Sequence, residues 1–408
     1  MKQILKIVRD NFRYAKNHRE QDKKVLTEKK LQKELKIVFY MKNPEVWNSV
    51  KTVYEAALNR NDVQVYLLAI PPYRNGKWDL QDERSYRFCL EVAGERTIRA
   101  YNPETCEWFA LEELAPDYVV LDKPYNHELP EMYRMEKISQ FTKICYIPYG
   151  YTYLNTPLLN VLNNPVLLRY ASMIFADSDT TYQYCRNRLW LSEKLNKQRV
   201  YNIGYPRFDL SVKNKKSKDE RLTVMWIPRW TLGESEKDSN FPSSFLKIKD
   251  WFVDFVEKNK NILGIIRPHP LMFEHYIEAG KMSREEVDEY KRRISDTENL
   301  RLDEDADYLK CLRSADILIA DFSSIVYEFF VTGKPIIFIG KENQGIYDSF
   351  YHAMNAEQVQ KWLEELLAGK DSKMDMREKQ INRFLKELNG KAGKRILEVI
   401  IQDYYTDV

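Results

Sequence analysis

The chain alternates short apolar runs with longer stretches in which apolar residues return every three or four positions. Residues 36–40 (KIVFY), 63–70, 118–121, 144–147 and 173–175 read as buried strands, with helices at 44–59 and 180–189. A second set starts near Val200. Its strands are expected at 200–203, 223–226, 262–266, 317–320 and 335–339, and its helices at 245–257, 284–294 and 324–331. This alternation predicts mainly parallel sheets with helices on both faces. Two successive sets predict two nucleotide-fold-like α/β domains facing each other. The polar stretch 190–199 is expected as a linker, and 213–221 (KNKKSKDER) and 234–240 as exposed loops. From about Met374 the pattern is again that of amphipathic helices. The expected division is a basic N-terminal segment (1–33), an N-terminal α/β domain (34–195), a C-terminal α/β domain (196–373) and C-terminal helices (374–408).

The first segment has its own pattern. Leu5, Val8, Phe12 and Ala15 follow helical spacing, and Lys2, Lys6, Arg9, Arg13, Lys16 and Arg19 fill the positions around them. Two placements fit such a helix. One is an anionic membrane surface, reached through residues 1–19; the other is the helix's own domain, with a solvated basic face. Charge sharpens the contrast. Residues 1–35 hold eleven Lys/Arg and five Asp/Glu, a local +6, whereas all 408 residues carry only +3, so the body is mildly acidic. That distribution argues against a nucleic-acid partner. Aromatic residues make up 13% and there are only 13 Gly, which excludes a disordered chain. The five cysteines are scattered without metal-ligand spacing among the five histidines, as in a reduced, cytoplasmic protein. No apolar run reaches the ~18 residues of a membrane span.

Ligands of such sheets bind beyond the carboxyl ends of the strands, and there the candidate chemistry gathers. Arg267-Pro268-His269-Pro270 follows the run 262–266. The guanidinium fork suits a phosphate, the imidazole stabilises or protonates a phosphate oxygen near pH 7, and the prolines stiffen the turn. Asp321-Phe322-Ser323-Ser324 follows 317–320 and opens a helix whose first turn offers hydroxyls and amide N–H groups to an anion. Glu328, one turn on, is placed to accept ribose hydroxyls. Gly204-Tyr205-Pro206-Arg207 and Pro228-Arg229-Trp230 each put an arginine after a strand. Read as loops of one sheet, Arg207, Arg229, Arg267, His269, Ser323 and Ser324 make a diphosphate site. In the first half, Asp122 and His127 follow the strand 118–121, and Tyr149-Gly150 follows 144–147. Asp122, His127 and Tyr149 are the candidates to handle an acceptor hydroxyl.

Taken in order, YNIGYPRFDL, MWIPRWT, IIRPHP and ADFSSIVYEFFVTGKPIIFIG resemble the bacterial CDP-glycerol glycerophosphotransferases, among them the teichoic-acid primases and polymerases, over about residues 140–345. The resemblance implies a GT-B-like fold with the nucleotide in the C-terminal domain. It also implies a peripheral enzyme on the inner face of the cell membrane that builds wall or capsule polymers. By that resemblance His269, Arg267, Ser323 and Ser324 contact the donor diphosphate. Glu328 sits where the family holds the nucleotide or polyol, and Asp321 belongs to the same motif. The family usually carries His-Gly after the strand ending near residue 147, and that histidine is its favoured base; this chain has Tyr149-Gly150. A phenol with a reference pKa of about 10 is a poor base at neutral pH. Asp122 or His127 then takes the role, or Tyr149 positions the acceptor.

The expected reaction moves a polyol phosphate, glycerol phosphate first, from a CDP-activated donor to a hydroxyl of a lipid-linked or polymer acceptor and releases CMP. Positioning and charge neutralisation carry such chemistry. No cofactor is expected beyond the CDP-polyol, which is a substrate, and no Asp-rich metal motif lies beside the phosphate loops. The alternative is a GT-B glycosyltransferase using a UDP-sugar for surface polysaccharide.

Overall fold

The computed structural model describes residues 2–29, 34–151, 156–212, 221–232, 243–305, 308–340 and 345–406. The expected loops at 213–221 and 234–240 lie almost entirely outside them. The chain forms two compact units, Met1–Leu210 with Phe384–Val408, and Ser211–Arg383.

In the first unit, β1 (Leu35–Met41), β2 (Val63–Ala69), β3 (Thr97–Arg99), β4 (Tyr118–Leu121), β5 (Lys143–Tyr146), β6 (Met173–Phe175) and β7 (Arg199–Tyr201) form one sheet. Its order is β7-β6-β5-β4-β1-β2-β3 and every pairing is parallel. The second unit holds β8 (Leu222–Ile227), β9 (Ile262–Ile266), β10 (Leu300–Leu302), β11 (Ile317–Ala320), β12 (Ile336–Ile339) and β13 (Tyr351–Ala353). Its order is β10-β9-β8-β11-β12-β13, again all parallel. Both sheets follow the Rossmann order 3-2-1-4-5-6, and the first adds a seventh strand. In each, the strand order reverses between the first and fourth strands. There the loops splay apart and leave the crevice that such sheets use for ligands.

The central strands are apolar throughout because helices cover both of their faces. Ile37, Val38, Phe39 and Met41 on β1, and Val224, Met225 and Trp226 on β8, are fully buried. The first unit's core also takes in Leu121, Ile144, Tyr146 and Ile174. The second packs Trp226 against Phe245 and Phe252 of the helix Phe245–Lys258.

Three expectations change. The stretch expected as a linker continues a helix, Asp179–Lys194, and its end opens β7. The strand after it, expected to begin the second set, pairs with β6 instead, through Met173↔Arg199 and Phe175↔Tyr201. The division between the units therefore falls after Leu210. The last helix, Ala392–Thr406, returns to the first unit and lies on Lys51–Leu58.

The N-terminal helix Lys2–Lys29 packs on Asp179–Lys194 and Pro165–Tyr170. Its docked face takes in only part of the expected apolar stripe. Asn11, Tyr14, Ala15 and His18 are buried, while Leu5 and Phe12 remain 63% and 62% exposed. Polar contacts set the docking. The Asn11 amide donates to the Arg188 carbonyl and accepts from the Leu191 amide, and the His18 ring pairs with the Arg169 carbonyl at 3.0 Å. Lys6, Arg9, Arg13, Lys16 and Arg19 are exposed beside Leu5 and Phe12. Among the described residues no helix is long and apolar enough to cross a membrane.

Candidate functional site

The second unit gathers its candidates at the switch point. Asp321 leaves β11 fully buried, and its Oδ2 accepts the amides of Arg229 (2.8 Å) and Ser244 (2.9 Å). Burial lifts its pKa to about 6 against the pull of those amides. Through this one oxygen Asp321 fastens the loop after β8 and the start of the helix at Ser244 to the loop after β11. Arg229 completes the fastening. Its Nε donates to Thr231 Oγ1 and its Nη1 to the Phe322 carbonyl at 3.1 Å.

Ser323 caps the helix Ser324–Phe330, its extended backbone letting Oγ accept the Ile325 amide at 3.3 Å. Ser324 is exposed and Glu328 fully buried. Arg267, after β9, is 11% exposed and pairs with Asp303, which follows β10. Its Nη2 donates to the Asp305 carbonyl at 2.7 Å.

His269 is exposed on one side and stacks on Trp230 on the other, centroids 5.3 Å apart. The loss of water on the covered side pulls its pKa below the ordinary histidine value. The Leu271 amide donates to Nδ1 at 3.2 Å. That nitrogen is therefore the unprotonated one, and the neutral ring carries its proton on Nε2 as a donor.

The first unit gathers a separate group at its own switch point. Asp122 leaves β4 almost fully buried. Burial lifts its pKa to about 6, opposed by Lys123, by the Asp122 and Lys123 amides and by Lys42. The Lys123 ammonium donates to Asn43 Oδ1 at 2.8 Å and lies over the Tyr149 ring. Lys42 pairs with Glu128. Tyr149 shares a hydroxyl–hydroxyl bond of 2.8 Å with Tyr125, and burial raises its pKa well above the phenol range. At neutral pH that hydroxyl keeps its proton and cannot serve as a base. Gly150 is half-buried, and a Cβ added there would meet the Leu162 side chain at 3.4 Å. His127 is exposed in the turn Asn126–Glu128, edge-on to Tyr73 and Tyr125.

Arg207 belongs to this first group. Expected beside Arg229 and Arg267, it follows β7, which the pairing with β6 assigns to the first sheet. Its Nη1 donates to the Tyr149 carbonyl at 3.1 Å. Asp303, Tyr308 and Trp230 complete the surroundings of Arg267 and His269 and were not legible as site residues. Of the three, Trp230 alone carried a signal, as the neighbour of Arg229. Among the described residues no group of three or more His, Cys, Asp or Glu is placed to hold a metal ion.

The family model described as CDP-Glycerol:Poly(glycerophosphate) glycerophosphotransferase matches residues 192–402. That range takes in the second-unit cluster and Arg207 and leaves Asp122, His127 and Tyr149 outside. No curated protein matches the chain. Among solved structures, the wall teichoic acid polymerase TagF, in a variant with CDPG, is similar at 14% identity and TM-score 0.56, covering 98% of each chain. The UDP-GlcNAc 2-epimerase of Neisseria meningitidis bound to UDP-GlcNAc is similar at 12% identity and TM-score 0.57, covering 90% of this chain and all of that one. A 2-epimerase from Methanocaldococcus jannaschii gives 15% identity and TM-score 0.56, covering 90% of this chain and 99% of its own. At such identities these likenesses show the fold, which is GT-B-like, with two Rossmann-like units.

Proposed function

This chain belongs to the CDP-glycerol:poly(glycerophosphate) glycerophosphotransferase family, and from that membership we propose that it moves glycerol phosphate from CDP-glycerol to a hydroxyl of a growing cell-wall or capsule glycopolymer. It is a CDP-glycerol glycerophosphotransferase-like enzyme. The observation that carries the reading is the coincidence of the matched residues with the strand-end cluster around Arg229, Arg267, His269 and Ser323. The likeness to a wall teichoic acid polymerase supports a polymer or lipid-linked acceptor.

In this reading the acceptor oxygen attacks the β-phosphorus of the donor. A new P–O bond forms, the bond from that phosphorus to the bridging oxygen breaks, and CMP leaves. Arg229, Arg267 and the Ser323 and Ser324 hydroxyls offset the charge of the diphosphate, and Glu328 takes donor hydroxyls. The Nε2 proton of His269 stabilises the oxygen on which charge grows. The acceptor proton goes to Asp122, whose pKa of about 6 keeps it ionised yet basic at neutral pH. His127 is the other candidate for that proton; Tyr149, Gly150 and Arg207 position the acceptor. His269→Ala is expected to lower CMP release from CDP-glycerol by about 10²–10³-fold, the usual cost of one transition-state donor. Unchanged release in a folded His269→Ala protein refutes this role.

We also assign the exposed face of the helix Lys2–Lys29 to the anionic inner surface of the cell membrane. Leu5 and Phe12 present apolar bulk and the surrounding cations attract acidic headgroups. Co-sedimentation with phosphatidylglycerol vesicles is expected to fall at least tenfold in Phe12→Ser/Arg9→Glu/Arg13→Glu, with little binding to phosphatidylcholine. Equal binding by variant and parent refutes the assignment.

A further inference from the structure

Two of the groups assigned to the donor, Arg267 and Glu328, come from different loops, and one side chain touches both. The Tyr308 hydroxyl donates to Glu328 Oε2 at 2.7 Å, and the Tyr308 ring lies 5.8 Å from the Arg267 guanidinium carbon. Glu328 is fully buried, so its orientation is not set by water. Arg267 is fixed from the opposite direction by Asp303 and the Asp305 carbonyl. Tyr308 opens the helix Tyr308–Ser314 and stands three positions after Asp305 in the chain.

We infer that Tyr308 is a positioning residue of the donor site. Its hydroxyl holds one carboxylate oxygen of Glu328 and thereby aims the other at the ribose hydroxyls of the nucleotide, while its ring packs beside the diphosphate-binding arginine. The inference rests on the proposed CDP-glycerol reading and adds to it the residue that sets discrimination for a ribonucleotide. The physical basis is the strength of a hydrogen bond to a charged acceptor in a buried site, which acts on geometry as well as energy. Phenylalanine at 308 keeps the ring and removes only the O–H.

The test compares kcat/KM for CDP-glycerol and its 2′,3′-dideoxy analogue. The parent enzyme is expected to prefer the ribonucleotide strongly. Tyr308→Phe is expected to cut that preference by about tenfold, the loss falling on CDP-glycerol and sparing the dideoxy donor. Glu328→Gln is expected to give a similar loss of preference. The double variant is expected to lose little more, because both changes break one interaction. Asp303→Asn is expected to weaken both donors alike, since it loosens the grip on the diphosphate they share. A Tyr308→Phe enzyme that loses activity equally on both donors, or on neither, overturns the inference, as does additivity of Tyr308→Phe with Glu328→Gln. Absence of CMP release from the parent enzyme is a separate outcome: it defeats the CDP-glycerol reading itself.

Discussion

Asp122→Asn is expected to lower kcat by about 10²–10⁴-fold, the range ascribed to a general base, and to abolish the acid limb of the pH–rate profile. The expectation starts from position. Asp122 is the first residue after β4, at the switch point of the first sheet, and is almost wholly withdrawn from water. Withdrawal disfavours the charged form and lifts the pKa from 3.8 to about 6, with Lys123 and Lys42 holding it from rising further. The direction in pH follows. Above about pH 7 the carboxylate is ionised and accepts a proton. As pH falls through 6 it protonates, and the rate drops about tenfold per unit. Asparagine keeps the shape and hydrogen-bonding reach but takes no proton, so the variant's small residual rate is flat across that range. The exposed His127 supplies the contrast, and His127→Ala is expected to stay within a few fold of the parent. A full rate in Asp122→Asn together with a collapse in His127→Ala transfers the role to the histidine.

Asp209→Ala is expected to cost the first unit about 3–5 kcal/mol, seen by calorimetry as a fall in Tm on the order of 10 °C. The buried Asp209 carboxylate accepts the amides of Ala392 and Gly393, each at 2.9 Å, and the Thr52 hydroxyl at 3.1 Å. It lies next to the point where the chain leaves the first unit, and its amide partners open the helix that returns. One side chain therefore ties the outgoing segment, the returning helix and the helix Lys51–Leu58 together, with its charge at a helix N-terminus where the backbone dipole favours it. Alanine leaves the two buried amides without an acceptor and the Thr52 hydroxyl with only the Pro206 carbonyl, at 3.4 Å. The approach of the two helices leaves no room for repacking: a Cβ on Gly393 would clash with the Thr52 backbone. A fall in Tm of less than about 2 °C contradicts this account.

Much of this architecture was legible because the central strands are long and apolar. Tyr118–Leu121, Ile262–Ile266 and Ile317–Ala320 match their expected limits, and the motifs follow them directly. In the two large sheets, the strands that escaped notice are Thr97–Arg99, Leu300–Leu302 and Tyr351–Ala353, three residues each at sheet edges, too short and too mixed to show a period. The residues 200–203 did read as strand, but no local signal says which sheet a strand joins, and so Arg207 was read as following a strand of the second sheet. Helix Lys2–Lys29 docks through Asn11 and His18, whose contacts with backbone carbonyls leave no trace in an apolar pattern. Asp303, Tyr308 and Asp209 owe their roles to partners 20 to 184 positions away along the chain.

The central claim is transfer at phosphorus with CMP as the leaving group, and the most direct measurement is the identity of the nucleotide released from CDP-glycerol in the presence of a glycopolymer acceptor. The account predicts CMP, formed mole for mole with phosphodiester in the polymer by ³¹P NMR. Release of CDP with glycerol alone transferred, or turnover of UDP-sugars in place of CDP-glycerol, contradicts it.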